Sequence, residues 1–273
     1  MKQRIARVFL YVLLVGAAVF YLTPIYVLLV TGFKSFQEVN LATMWALPSG
    51  VYLDNFAAAF VKLAPNLSNS LSLTVAGTII SAFLGSLNGY VLSKWKFRGA
   101  DALFTAMLFG MFIPYQSILI PLVRFMQMIG LYGRLWGLVL VHVIYGIPMT
   151  TLIFRNYYAT VVPNEMVEAA HMDGADLLGI YWHVMLPLAI PGFVVVMIWQ
   201  FTSIWNEFLF AVTLTSPRYW PVTVALQNLA GSQIVEWNVQ MAGAFLAALP
   251  TLLVYIFMSR FFLRGLMAGA LKG

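Results

Sequence analysis

Cysteine is absent from this sequence, and with it go disulfide bridges, thiolate metal sites and a cysteine nucleophile. Charge is scarce. Asp, Glu, Lys and Arg make up 9% of the residues, where a soluble domain carries roughly 25%. Hydrophobic residues make up 62% and the mean hydropathy is +0.89, so a water-facing globule is excluded. The GxxxxGK[ST] phosphate loop and the HExxH and GxSxG motifs are missing too, so nucleotide hydrolysis, zinc proteolysis and serine hydrolysis have no centre here. The three histidines, His142, His171 and His183, follow no metal-ligand spacing. No catalytic residue, metal or cofactor of its own is expected for the chain.

What the sequence has in abundance is long apolar runs. A span of about 20 residues crosses a hydrocarbon core of roughly 30 Å, and six stretches between charged residues meet that length: 8–33, 63–93 (apolar from about 71), 102–123, 135–154, 184–206 and 237–259. Pro114 and Pro121 interrupt the third, where a kink is expected. The first run is longer than the roughly 7–15 residues of a signal-peptide core and reads as a retained span. Of the 15 basic residues, ten (Lys2, Arg4, Arg7, Lys94, Lys96, Arg98, Arg155, Arg260, Arg264, Lys272) gather on one side and five (Lys34, Lys62, Arg124, Arg134, Arg218) on the other. The excess marks the cytoplasmic side and places both termini there. The same bias accounts for the net charge of +6 without nucleic acid. The sequence predicts an all-α integral membrane protein, 1–273 forming a single domain in the lipid bilayer.

One loop opposes its own side. Residues 155–186 carry Arg155 but four acidic residues, Glu165, Glu168, Asp173 and Asp176. Pro163 and Asn164 start a short helix with Glu165 and Glu168 in its first turns, Gly174 breaks it, and Asp176 opens a second helix toward Leu186-Pro187. The small side chains of Ala169 and Ala170 let another surface approach closely. Anionic headgroups would repel such a helix, so a protein partner is the expected contact.

Glu168-Ala169-Ala170, then Gly174 after three residues, then Val184-x-Leu186-Pro187 resembles the coupling signature of ABC-importer permeases, with Val184 where Ile is common. The resemblance implies a cytoplasmic coupling helix between spans four and five that docks on a dimer of ATP-binding subunits. Glu165, Glu168, Ala169, Ala170, Asp173, Gly174, Leu186 and Pro187 would be its contact residues, with ATP and Mg held by that partner. Asn69-Ser70, Gly89-Tyr90-Val91-Leu92, Phe97-Arg98-Gly99, Ile113-Pro114, Ile120-Pro121, Trp205-Asn206-Glu207-Phe208 and the final nine residues are similar to the carbohydrate branch of the maltose-permease type. The segment 221–226 with 236–239 looks like glucose/mannose importers. The branch implies a second, different permease and an extracytoplasmic sugar-binding protein, in a bacterial or archaeal cytoplasmic membrane. It also implies a cytoplasmic tail, 260–273, that touches the ATPase through Gly265, Gly269 and Lys272. The tail departs from the common form at Met267 and Leu271, and the 34–68 stretch matches least.

Several polar residues stay open to two readings. Glu207, near the outer end of the fifth span, is a substrate-proximal group or a hydrogen-bond partner at the span end. Trp199 and Trp205 sit where a sugar face could stack or where interfacial anchors are ordinary, and Trp205 and Asn206 are candidates for the pathway. His142 is a satisfied core histidine or a proton relay, and Asn88 is a candidate for the pathway. Gly85 and Gly89 form a GxxxG packing motif. The rival functions are an ion-gradient-driven transporter or channel, which would show repeats and midplane acids, and an ABC importer of a non-sugar solute.

Overall fold

The computed structural model describes residues 2–95, 97–231 and 235–270. They form twelve helices: α1 Lys2–Gly32, α2 Asp54–Lys94, α3 Ala100–Met111, α4 Leu119–Met128, α5 Leu135–Val161, α6 Asn164–Met172, α7 Leu177–Ile180, α8 Leu186–Leu188, α9 Ile190–Trp205, α10 Leu209–Leu214, α11 Val222–Ala230 and α12 Trp237–Ala270. Among the described residues there is no strand, only an isolated bridge between Gly133 and Thr215. Four helices, α1, α2, α5 and α12, are long and apolar enough to span a membrane. Two bent pairs bring the number to six if each is one span: α3 with the segment ending in α4, bent by 89°, and 177–188 with α9, bent by 77°.

The third span is therefore broken rather than kinked. Pro114 takes an extended ψ of 118° just before a short 3-10 turn, and its missing N–H and ring forbid helical continuation. Pro121 falls in the first turn of α4, where the absent N–H has no intrahelical partner to lose. The expected fifth span, 184–206, is likewise interrupted, bending at Ala189 between α8 and α9. The second span begins at Asp54, well before the apolar run. The sequence places about 34–70 in an outside segment with room for a short surface helix, and its later part carries Pro65, Asn66, Asn69 and Ser70. Their side chains instead secure the 217–222 turn: Asn66 donates to Trp220 O (2.8 Å), Asn69 to Arg218 O (3.1 Å), and Ser70 Oγ accepts from Val222 N–H (2.8 Å).

The chain divides into two compact units: one comprises residues up to Pro65 with Ala225–Leu249, the other Asn66–Val224 with Pro250 onward. In the first, Ala59, Val239 and Ala242 are buried against Phe56 and Leu246. Asn55 donates to Gly32 O (2.9 Å) and Lys34 O (2.8 Å) and accepts from Asn238 (2.8 Å). In the second unit α2 presents Gly77, Ser81, Gly85 and Gly89 at intervals of four to its neighbours. In lipid the approach of helices rests on close packing more than on apolar burial. A Cβ at Gly85 would strike the Thr150 side chain, and one at Gly89 would lie 2.7 Å from Phe154 Cβ. The expected GxxxG pair is thus the seam between α2 and α5. Two buried clusters flank it, one around Leu138, Ile204 and Phe210, the other around Tyr90, Phe154, Tyr158 and Tyr181.

Candidate functional site

Two places in the second unit gather the residues singled out in the sequence. The first is the acidic loop. Its free part starts at Val162, because α5 continues through 155–161. Two helices form as expected. Pro163 precedes α6 and Gly174 ends it at φ +84°. Gly174 N–H donates to His171 O (3.0 Å) and Ala175 N–H to Ala170 O (3.1 Å), the two bonds of a Schellman ending. Asp176 then caps α7, its carboxylate accepting from Gly179 N–H (2.7 Å). A π turn over Tyr181–Met185 carries the chain on to Leu186-Pro187.

Sequence reasoning missed the polar clamp beneath this loop. Lys94 donates to Val162 O (2.6 Å) and Asn164 Oδ1 (2.8 Å). Buried Ser86 shares hydrogen bonds with the hydroxyls of Tyr158 (2.7 Å) and Tyr181 (3.1 Å). Tyr90 OH donates to Leu177 O (3.4 Å) and stacks on Tyr181. At the base, Arg155 pairs with Asp101 (3.0 Å), donates to Leu92 O (3.3 Å) and lies 4.2 Å over the Phe104 ring. The available signal was three tyrosines and a serine inside otherwise apolar stretches, since buried hydroxyls need partners. Held on this clamp, α6 presents Glu165, Glu168, Ala169 and Asp173 outward, with Met172 87% exposed at its end. Pro187 is exposed and Leu186 half-buried.

The second place is a cavity of about 350 Å³ lined by, among others, Tyr115, His142, Trp199, Gln200, Asn206 and Glu207. Glu207 accepts from Phe210 N–H (2.8 Å) and Ala211 N–H (3.1 Å), which caps α10. Its Oε2 lies 3.8 Å from His142 Nε2, a buried nitrogen with no hydrogen-bond partner. Gln200 is buried, packs where a Cβ on Gly146 would stand, and donates to His142 O (3.4 Å). Of the expected pathway residues, Asn206 and Glu207 line this cavity. Trp205 is buried and stacked on Phe201 (5.7 Å), and Asn88 is half-buried on α2 away from the lining. Gln200, a lone amide in an apolar run, was the missed signal. Among the described residues, no group of three or more His, Asp or Glu could hold a metal ion. Gly265 and Gly269 lie on the last turns of α12, while Lys96, Leu271, Lys272 and Gly273 lie outside the described residues.

Four to six candidate membrane spans, with a cavity in the second unit lined by aromatic and polar side chains and an acidic loop held by buried hydroxyls, fit a membrane transport subunit. Residues 77–266 match the family of binding-protein-dependent transport system inner membrane components, and the chain belongs to that family. A probable ABC transporter permease protein of Pyrococcus horikoshii is 46% identical over 269 residues, 98% of each chain. The xylose/arabinose import permease protein of Haloferax volcanii is 35% identical, covering 97% of this chain and 92% of its own. The glucose import system permease protein of Saccharolobus solfataricus is 30% identical, covering 94% and 92%. In fold the chain is similar to a bacterial ABC transporter involved in the import of the acidic polysaccharide alginate, with a TM-score of 0.83 at 24% identity over 96% of this chain and 98% of that one. The chain is therefore a non-catalytic ABC importer permease, with ATP hydrolysis on a separate subunit.

Proposed function

We propose that this permease imports a sugar or oligosaccharide into the cytoplasm of a bacterium or archaeon. Both termini and the 162–188 loop would face inward. The observation that carries the coupling role is the exposed acidic face of α6 on a clamp of buried tyrosines and Ser86 with half-buried Lys94. A loop so held moves as one body with α2 and α5. Closure of a cytoplasmic ATPase dimer around Glu165, Glu168, Ala169, Ala170, Asp173 and Gly174, with Leu186 and Pro187 at the hinge to α9, would then rock those helices. Gly265 and Gly269, followed by Lys272, would add a second contact to the ATPase.

A sugar is supported as substrate by the cavity's chemistry: neutral donors and acceptors from Gln200, Asn206 and Tyr115, one carboxylate, and an indole at Trp199. That mixture pairs with hydroxyls and with an apolar ring face. The sugar permeases among the relatives agree with it. A second permease of different sequence and an extracytoplasmic sugar-binding protein complete the importer, and ATP with Mg belongs to the ATPase. The test is uptake into proteoliposomes that hold the chain with its co-purified subunits and binding protein, over a panel of labelled pentoses, hexoses and disaccharides. ATP-dependent uptake of one sugar class is expected. Uptake driven by an ion gradient without ATP would overturn the reading.

A further inference from the structure

The first unit holds a buried cation that no carboxylate among the described residues contacts. Lys34 follows the end of α1 and is only 2% exposed. Its ammonium has three donors, of which one goes to Thr43 O (2.7 Å). Among the described residues no carboxylate comes within 4.0 Å of it. Glu38 is nearest in kind, but its carboxylate is turned to the Ser49 hydroxyl; that hydrogen bond first, and the Lys34 charge at longer range, hold it below the usual carboxylate range. A charge removed from water is costly unless it is paired in contact, so which anion reaches the ammonium directly is the question this site poses.

The ammonium lines a cavity of about 310 Å³. Thr31 and Asn40 add a hydroxyl and an amide, and Leu41, Met44, Trp237 and Met241 make the rest of the wall largely apolar. The cavity is built rather than incidental. Asn55 fixes the backbone at Gly32 and Lys34 and is itself held by Asn238 (2.8 Å). Thr43 is folded over the ammonium by Asn40 Oδ1 (3.0 Å) and Glu38 O (2.6 Å). It lies where α1 ends and α12 begins, the zone in which a span leaves hydrocarbon. Around it Leu41 is 88% exposed, and Trp45 and Leu47 are exposed as well. An anion with an apolar body attached matches this wall; a bare anion or a protein carboxylate leaves the apolar fringe in water.

We propose that Lys34 binds the phosphate of a membrane phospholipid, whose glycerol and upper acyl chains lie against Leu41, Met44, Trp237 and Met241. Lys34, Asn40, Leu41 and Met44 lie before residue 77, outside the family match, while Trp237 and Met241 lie within it, and the site is independent of the coupling loop. The lipid fills the cavity, supplies the counter-ion and ties the end of α1 to the start of α12.

Native mass spectrometry of the full chain with its co-eluting subunits tests this, in titrations with dioleoylphosphatidylglycerol, dioleoylglycerol and inorganic phosphate. One phosphatidylglycerol per chain is expected to survive desolvation. Lys34→Met should weaken it by about tenfold, while Lys34→Arg should hold it within about threefold. Met241→Trp, which fills the cavity and leaves the cation in place, should also release the lipid, so the reading does not depend on the folding of one variant. Retention of lipid by both Lys34→Met and Met241→Trp would overturn the proposal. Binding of inorganic phosphate in place of the lipid would overturn it too. So would carbodiimide cross-linking of Lys34 to a carboxylate of a co-eluting subunit, which would identify a protein partner as the anion.

Discussion

Glu207 caps a helix and lines the cavity at once. Both of its oxygens are engaged by the N–H groups that open α10, yet the same carboxylate lines the cavity opposite the unpaired nitrogen of His142. Glu207→Ala should lower stability by about 1–2 kcal/mol, the usual cost of losing a cap, and uptake should fall with it. Glu207→Gln keeps one acceptor for the cap and should regain most of the stability while still showing weakened apparent affinity for solute. Thermal unfolding beside uptake kinetics separates the two contributions. Gly174 is a different case, because nothing lies within 4 Å of the position a Cβ would take, so a larger residue meets strain and not a clash. Gly174→Val should cost about 1–2 kcal/mol through its left-handed φ and leave the protein in the membrane but unable to import. Gly174→Asn, which tolerates that φ, should keep most uptake; equal loss in both variants would place the requirement on the glycine surface instead.

At the level of elements, the proposed coupling rests on how firmly α6 and α7 are attached to α2 and α5. Tyr158→Phe removes a buried hydrogen bond to Ser86 and should cost about 1 kcal/mol. The effect should appear as ATP hydrolysis that proceeds with reduced uptake, read as the ratio of the two rates. Gly89→Leu overfills the α2–α5 seam and should destabilise by about 1–3 kcal/mol, visible in thermal unfolding. The long spans were legible because uncharged runs near 20 residues have few alternatives, and the two-helix loop because Pro163, Gly174 and Asp176 are local signals acting locally. The helix over 54–70 was not legible: Asn66, Asn69 and Ser70 look like loop until the backbone of 217–222, about 150 positions away, is brought against them. The right-angle break at Pro114 was hidden for a similar reason. Proline announces an interruption, but its angle depends on what packs around it.

For the whole molecule, the charge asymmetry implies an orientation, and the sequence offers an unusually clean way to map it. With no cysteine to remove, single replacements can be introduced directly. A thiol at exposed Met172 should react with membrane-impermeant maleimide only in inside-out vesicles, and one at Leu41 only in right-side-out vesicles. The reverse pattern would invert the topology and remove the loop from the cytoplasm. The central claim, that this permease is driven through its acidic loop, is tested most directly by purifying the tagged chain from native membranes in mild detergent and identifying what co-elutes. The account predicts a cytoplasmic ATPase and a second multi-span protein, with the ATPase lost and the second permease retained on Glu168→Lys. A chain that elutes alone and still transports without ATP, or a Glu168→Lys variant that keeps its ATPase and full uptake, would contradict it.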